Sequence, residues 1–263
     1  MPYVSVEESI SSELLDIFSE DGKRLVVVIE AFIDESGTHQ GSPLVAVGAV
    51  LGARWQWRKF LSMWDDKPFH AKEPKCDPLK PALFDAFQEC ELESFVASMT
   101  PSDYKNYADA HFRSGLGNPY SVCTFACAIG VSKYCKDNRL GEIAFVIEAG
   151  QPNVDFVRET LEYMQTKERY RIASVAIVPK KKSVQLCTAD FLAHSRTSEP
   201  SWFYNLQKTD RVWTDEIGPE KIVRMSKQLS TGIQRMRQER QRLRKDGTVG
   251  NHDANAKKDE APQ

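Results

Sequence analysis

The spacing of apolar residues changes several times along the chain, and each change marks an element. Residues 5–20 repeat at helical spacing and stop at Asp21-Gly22, which predicts a short amphipathic helix closed by a turn. The pattern then switches to β-branched and small apolar runs. LVVVIEAFID (25–34) and PLVAVGAVLG (43–52), joined by a polar loop, predict two antiparallel strands near the middle of a sheet. A helix carrying Trp55, Phe60 and Trp64 follows, and four prolines between 68 and 81 predict a loop that contains FHAKEP. A helix over about 82–90 leads to a third strand in ELESFVASMT, and Pro101-Ser102-Asp103 opens another helix.

Residues 119–136 are apolar enough for a long buried helix. Beyond them the chain alternates: EIAFVIEAG (142–150) as strand, 153–168 as helix, RIASVAIVP (171–179) as strand, 184–195 as helix. Such alternation predicts a parallel portion with right-handed crossovers. An antiparallel start followed by βαβα predicts an α/β fold, a mixed sheet with helices on both faces.

In the last helix, 218–245, Ile222, Leu229, Met236 and Leu243 recur every seven residues with Met225 and Ile233 beside them, a seam for the body or for a homodimer. The segment after Lys245 has almost no large apolar residue and reads as a disordered tail. The resulting organisation is an N-terminal helical extension (1–22), an α/β domain (23–212), a C-terminal helix (213–246) and the tail (247–263).

Composition changes this picture little. With 41% hydrophobic and 27% charged residues the chain is of ordinary globular type. It has neither an apolar run of about 20 residues for a bilayer nor a basic-then-apolar start for secretion, so a cytoplasmic location without membrane contact is expected. The six cysteines, three of them in apolar helical segments, fit buried thiols in a reducing compartment. Net charge is −2, but residues 180–245 carry 15 Lys/Arg against 7 Asp/Glu. That local excess is the footprint expected for a phosphate-bearing partner, and it also suits a solvated helical face.

Three acids stand where packing does not want them. Asp34 ends an apolar strand and is followed by Glu35-Ser36-Gly37; a polar hairpin turn would need the same residues. Alternation along a strand points Asp34 and Glu35 to opposite faces, so at most one is expected as a primary ligand. Glu148 repeats the situation in IAFVIEAG. If the two strands are neighbours, both acids face the crevice beyond the strand ends. Asp190 lies in SVQLCTADFLAHS, a helix so apolar that its carboxylate needs a metal, a basic partner such as Lys180, Lys181 or Lys182, or a raised pKa. His70 and Glu73 sit in the Pro-rich loop, where His70 is either a general acid or base or a packed loop histidine. His39 could also reach the mouth of such a site.

AFIDESG, FHAKE, AFVIEAG and SVQLCTADFLA, in this order, resemble the motifs of the bacterial domain-of-unknown-function family 3800, over roughly residues 25–210. The resemblance implies a ribonuclease H-like fold and places Asp34, Glu148 and Asp190 at metal-binding positions, with Glu35 and Gln185 in support. It implies links to mobile elements and phage defence but no substrate.

Oxygen ligands without sulfur favour Mg²⁺ or Mn²⁺. The expected activity is nuclease or phosphodiesterase action on nucleic acid at a two-ion site. Lys182 would offset charge on the phosphate, and Gln185, Lys180 and Lys181 would contact substrate. The alternatives are a non-catalytic binding module on the same fold and a metal-dependent phosphatase acting on small nucleotides. No Gly-rich phosphate loop or GxSxG elbow supports a nucleoside triphosphatase or an α/β-hydrolase.

Overall fold

A computed structural model of the chain describes residues 28–65 and 67–228. The expected N-terminal helix, most of the heptad seam and the expected disordered tail lie outside these residues.

Six strands form one sheet: β1 (Val28–Ser36), β2 (Val45–Ala53), β3 (Glu93–Met99), β4 (Glu142–Glu148), β5 (Ile172–Val178) and β6 (Val212–Glu216). Their order is β5-β4-β1-β2-β3-β6. Only β2 runs against the others: it is antiparallel to β1 and β3, whereas β4 is parallel to β1, β5 to β4, and β6 to β3. The antiparallel start and parallel continuation read from the sequence are present, so the C-terminal ends of β1 and β4 emerge side by side.

The helices are α1 (Arg54–Trp64), α2 (Lys80–Glu89), α3 (Pro101–Tyr107), α4 (Ala110–Leu116), α5 (Pro119–Asp137), α6 (Val154–Gln165), α7 (Leu186–Ser198) and α8 (Pro200–Gln207). A ninth, α9, is described over 219–228. Local chemistry sets several starts: the side chains of Thr100, Asp109 and Asn118 accept the N–H groups of Asp103, Phe112 and Ser121, capping α3, α4 and α5.

Strand alternation divides the core into two layers. Ile29, Ala31 and Ile33 of β1 join Val47, Ala49 and Leu51 of β2 under α5 and α6. Phe32, Ala46 and Val50 face the other way, toward α1, α2, α7 and α8. On α6 the buried residues Val157, Leu161 and Met164 follow one helical stripe, whereas α7 is buried from Leu186 through Ala193. A helix apolar on nearly all sides belongs inside the molecule, and α7 lies across β1 and β2.

An aromatic series crosses the α7 layer. Phe32 meets Trp57 edge-on at 4.7 Å, and Phe60 and Trp64 of α1 continue the series. Phe69 is then wedged between Trp64, at 5.9 Å, and Phe191 of α7, at 6.2 Å. Each such ring contributes about 1.5–3 kcal/mol by burial alone. Phe69 and Ala71 are both buried, so they pin the FHAKEP loop against α7 on either side of His70.

Two features depart from the expected elements. Residues 212–216 form a parallel edge strand, so the sheet continues past the boundary drawn at 212. The Pro-rich stretch expected to lack regular structure holds a 3₁₀ turn, Pro74–Leu79, and α2 starts at Lys80 with a proline in its first turn. Ile222 of α9 is buried in the body, so the heptad seam begins as a packing face of the domain itself. All six cysteines are free and buried.

Candidate metal centre

The site is assembled at the C-terminal ends of β1 and β4, which neighbour each other with Ile33 beside Ile147. Asp34 closes the buried part of β1 and Glu148 ends β4. A sharp turn follows β1 because Gly37 adopts φ +78°, and a Cβ there would lie 1.9 Å from the Leu44 carbonyl oxygen. Opposite Asp34 in the antiparallel register stands Gly48. Its missing side chain lets α7 approach: a Cβ at Gly48 would come within 2.8 Å of the Ala189 carbonyl oxygen. The neighbouring residue on α7 is Asp190.

Lys180 joins the three acids. It occupies the 3₁₀ turn Lys180–Lys182 just after β5. Its Nζ lies 2.7 Å from Asp34 Oδ2, 3.2 Å from Asp190 Oδ2 and 3.3 Å from Glu148 Oε2. The Asp34 side chain is completely buried. Burial pushes its carboxyl well above the usual carboxylate value, and a hydrogen bond shared with Glu148 adds to this against the pull of Lys180. For Lys180 burial acts downward, but the charges of Asp34 and Asp190 hold the ammonium above its ordinary value.

Glu35 joins Asp34 and Glu148: one carboxylate oxygen from each lies within 4.8 Å of the others, a grouping able to hold a cation. Alternation does send Glu35 toward the α5 layer, where its charge acts on the buried Tyr120 hydroxyl. Both adjacent acids nevertheless reach the same cluster. Glu35 stands at the end of the sheet, where a long side chain reaches around the strand. Burial, then repulsion from Glu148, raises its carboxyl to about 7. Glu35 Oε2 is buried with no hydrogen-bond partner among the described residues.

Asp190 stands outside that trio and is differently satisfied. Its Oδ2 accepts the Ala71 N–H at 2.7 Å and lies 3.2 Å from His70 Nδ1. Burial alone would raise its pKa, yet His70, Lys180 and the Ala71 amide together hold it below the ordinary value.

An open cleft of about 470 Å³ gives access to the cluster. Glu35, Glu148, Lys180, Asp190, His70 and His39 line it, with Ser36, Thr38, Lys72, Gln151, His194 and Thr197. The Ser36 and Thr197 hydroxyls are 2.8 Å apart and tie the end of β1 to α7. A second cleft of about 400 Å³ shares His70 and Lys180 with the first and adds Lys67, Glu73, Lys75 and Lys181. Glu73 is paired there with Lys75 at 2.7 Å.

The structure thus brings Asp34, Glu35, Glu148, Asp190, Lys180 and His70 into one cluster, with His39 at its rim and Lys181 in the adjoining cleft. Lys182 is exposed and lines neither cleft, and Gln185 lines neither. Gln185 Oε1 accepts the Ser183 hydroxyl at 3.2 Å instead. Sequence reasoning missed His194 and Thr197, although Asp190, His194 and Thr197 fall at i, i+4 and i+7 on α7. That spacing is the signal that could have found them.

A sheet in order β5-β4-β1-β2-β3-β6, with β2 alone reversed and acids at the ends of β1 and β4, has the ribonuclease H-like α/β fold. No family model and no curated protein sequence matches the chain. Solved structures similar to it are a chain of the PCNA:RNase HII complex from Archaeoglobus fulgidus (14% identity, TM-score 0.40, 69% of this chain and 78% of that one) and the ribonuclease H2 from Pyrococcus horikoshii OT3 (12%, 0.43, 68% and 76%). Bst-RNase HIII in complex with Mn²⁺ is similar at 19% identity and TM-score 0.43, over 70% of this chain and 56% of that one.

Proposed function

We infer that this protein is a divalent-metal-dependent phosphodiester hydrolase acting on nucleic acid. The observation that carries the reading is the convergence of Asp34, Glu35 and Glu148 within 4.8 Å at the ends of two parallel strands. The unpartnered Glu35 Oε2 points the same way, because a buried carboxylate oxygen without a donor calls for a cation. An all-oxygen donor set with no sulfur fits Mg²⁺ or Mn²⁺, held by Asp34, Glu35 and Glu148. When bound, such an ion supplies Lewis acidity toward water and charge neutralisation at a phosphodiester.

The chain's own groups complete the chemistry. Lys180 holds the Asp34, Glu148 and Asp190 carboxylates in place and presents positive charge to the cleft. His70 sits between the buried Asp190 carboxylate and the opening. The Asp190 carboxylate, 3.2 Å from Nδ1, orients the ring at the cleft as the candidate general base. Lys67, Lys75 and Lys181 around the second cleft suit a phosphate backbone without regard to sequence. The resemblance to the domain family named above supports the same reading, and six unpaired buried cysteines fit a reducing, cytoplasmic setting.

The test is cleavage of labelled single- and double-stranded DNA and RNA, with free nucleotides as a further arm, in the presence of Mg²⁺ or Mn²⁺. Wild-type protein should cut a polynucleotide only with the ion present, and Asp34→Asn should be inactive. Metal-independent cleavage, equal cleavage by Asp34→Asn, or turnover of nucleotides alone would reject the reading.

A further inference from the structure

We propose that the Lys180 ammonium is a built-in cation standing where a second metal ion would otherwise sit, so that the cluster takes one divalent ion rather than the two its carboxylates first imply. This rests on the functional reading above and narrows it.

The argument is one of occupied space. Lys180 Nζ lies within 3.3 Å of one oxygen from each of Asp34, Glu148 and Asp190. A Mg²⁺ shared by those oxygens at about 2.0–2.1 Å would need the volume that the ammonium fills. Asp190 Oδ2 is further committed, since it also accepts the Ala71 amide at 2.7 Å and faces His70 Nδ1 at 3.2 Å. An ion bound there would compete for Oδ2 with a backbone donor that Phe69 and Ala71 anchor in the core.

The acids themselves keep unused donor capacity. Glu35 Oε2 is buried and accepts no hydrogen bond among the described residues, and one oxygen each from Glu35, Asp34 and Glu148 lie within 4.8 Å of one another. That trio has the donors for one ion.

Lys180 is also held so that it cannot easily withdraw. Its turn is closed by the Lys182 N–H donating to the Pro179 carbonyl at 2.8 Å and the Ser183 N–H to the Lys180 carbonyl at 3.0 Å. Immediately upstream the Ala149 N–H donates to the Val178 carbonyl at 2.9 Å, tying the end of β5 to the residue after Glu148. The lysine backbone is therefore fixed relative to the carboxylates it serves.

Counting bound Mn²⁺ decides the matter independently of catalysis. Full-length protein is titrated with Mn²⁺ while the electron paramagnetic resonance signal of the free ion is followed. We expect one equivalent bound by the wild type and two by Lys180→Met, with Lys180→Gln in its place should the methionine variant not fold. Two equivalents in the wild type, or one in both proteins, would overturn the proposal while leaving a metal-dependent hydrolase standing. No uptake by the wild type would overturn the proposal and the functional reading together.

Discussion

Gly48 stands opposite Asp34 in the β1–β2 ladder, and the space its side chain would take is filled by the backbone of α7 at Ala189. The absence of a Cβ on one strand therefore sets how closely the helix bearing Asp190 approaches the strand bearing Asp34. Gly48→Ala should push α7 outward, because the obstructing atom is a carbonyl oxygen 2.8 Å away that has no rotamer to change. We expect a loss of about 1–3 kcal/mol in urea unfolding. A smaller Mn²⁺-induced rise in Tm should accompany it. Unchanged stability would show that α7 is not seated on Gly48.

The carboxyls also predict a pH dependence. Glu35 has a pKa of about 7, chiefly through burial, and Asp34 is raised for the same primary reason. Both bind protons more tightly in the folded chain than in the unfolded one. The stability this contributes is full below the unfolded carboxylate values, about 4, and the Glu35 share of it is lost as pH rises through about 7. A divalent ion competes for the same oxygens, so the Mn²⁺-induced shift in Tm should be small near pH 5.5 and grow through pH 7. Glu35→Gln should remove the portion of that growth centred near 7. A metal effect independent of pH over this range would contradict the assignment.

His70 and the carboxylate trio should separate in their effects. Replacing His70 with alanine leaves Asp34, Glu35 and Glu148 untouched, so Mn²⁺ stabilisation should persist. Cleavage should fall by about 10²–10⁴-fold, the range for loss of a general base. Equal loss of metal binding and cleavage would mean that His70 only supports Asp190.

Lys80 offers a contrast away from the chemistry. Its side chain is buried and bridges Asp77 at 2.7 Å and Glu199 at 2.5 Å, joining α2 to the residue between α7 and α8. Its partners are partly exposed, so Lys80→Met should cost about 2 kcal/mol rather than the 3–5 kcal/mol of a fully buried pair. The Mn²⁺-induced Tm shift should be unaltered. A thermal melt with and without the ion checks both expectations.

Much of this arrangement was legible in the chain. Strands β1, β2, β4 and β5 are apolar runs bounded by turn residues, and their order in sequence already implied the mixed sheet. Asp34, Glu148 and Asp190 stood out because an ionised group is costly beside so many apolar neighbours. Strand β6 did not stand out: VWTDE is five residues long, largely exposed and at an edge, so burial stamps no pattern on it. Helix α4 has Phe112 as its one buried residue and is announced chiefly by its Asp109 cap. Within Lys180-Lys181-Lys182 composition cannot choose, because a 3₁₀ turn rotates each successive side chain by about 120° and only the first faces the acids. Glu35 was undervalued because alternation describes where a side chain departs, not how far it reaches past the last rung of a sheet.

The acids and their lysine come from stretches that are distant in sequence, Asp34 and Glu35 early, Glu148 midway, Lys180 and Asp190 late, and all meet only once α7 has docked on Gly48. A chain truncated before residue 180 can therefore pair the strands that carry Asp34, Glu35 and Glu148, but it lacks the ammonium and the Asp190 carboxylate that complete the cluster. Its charge balance is thus reached late, after the strands that carry the first acids have already paired.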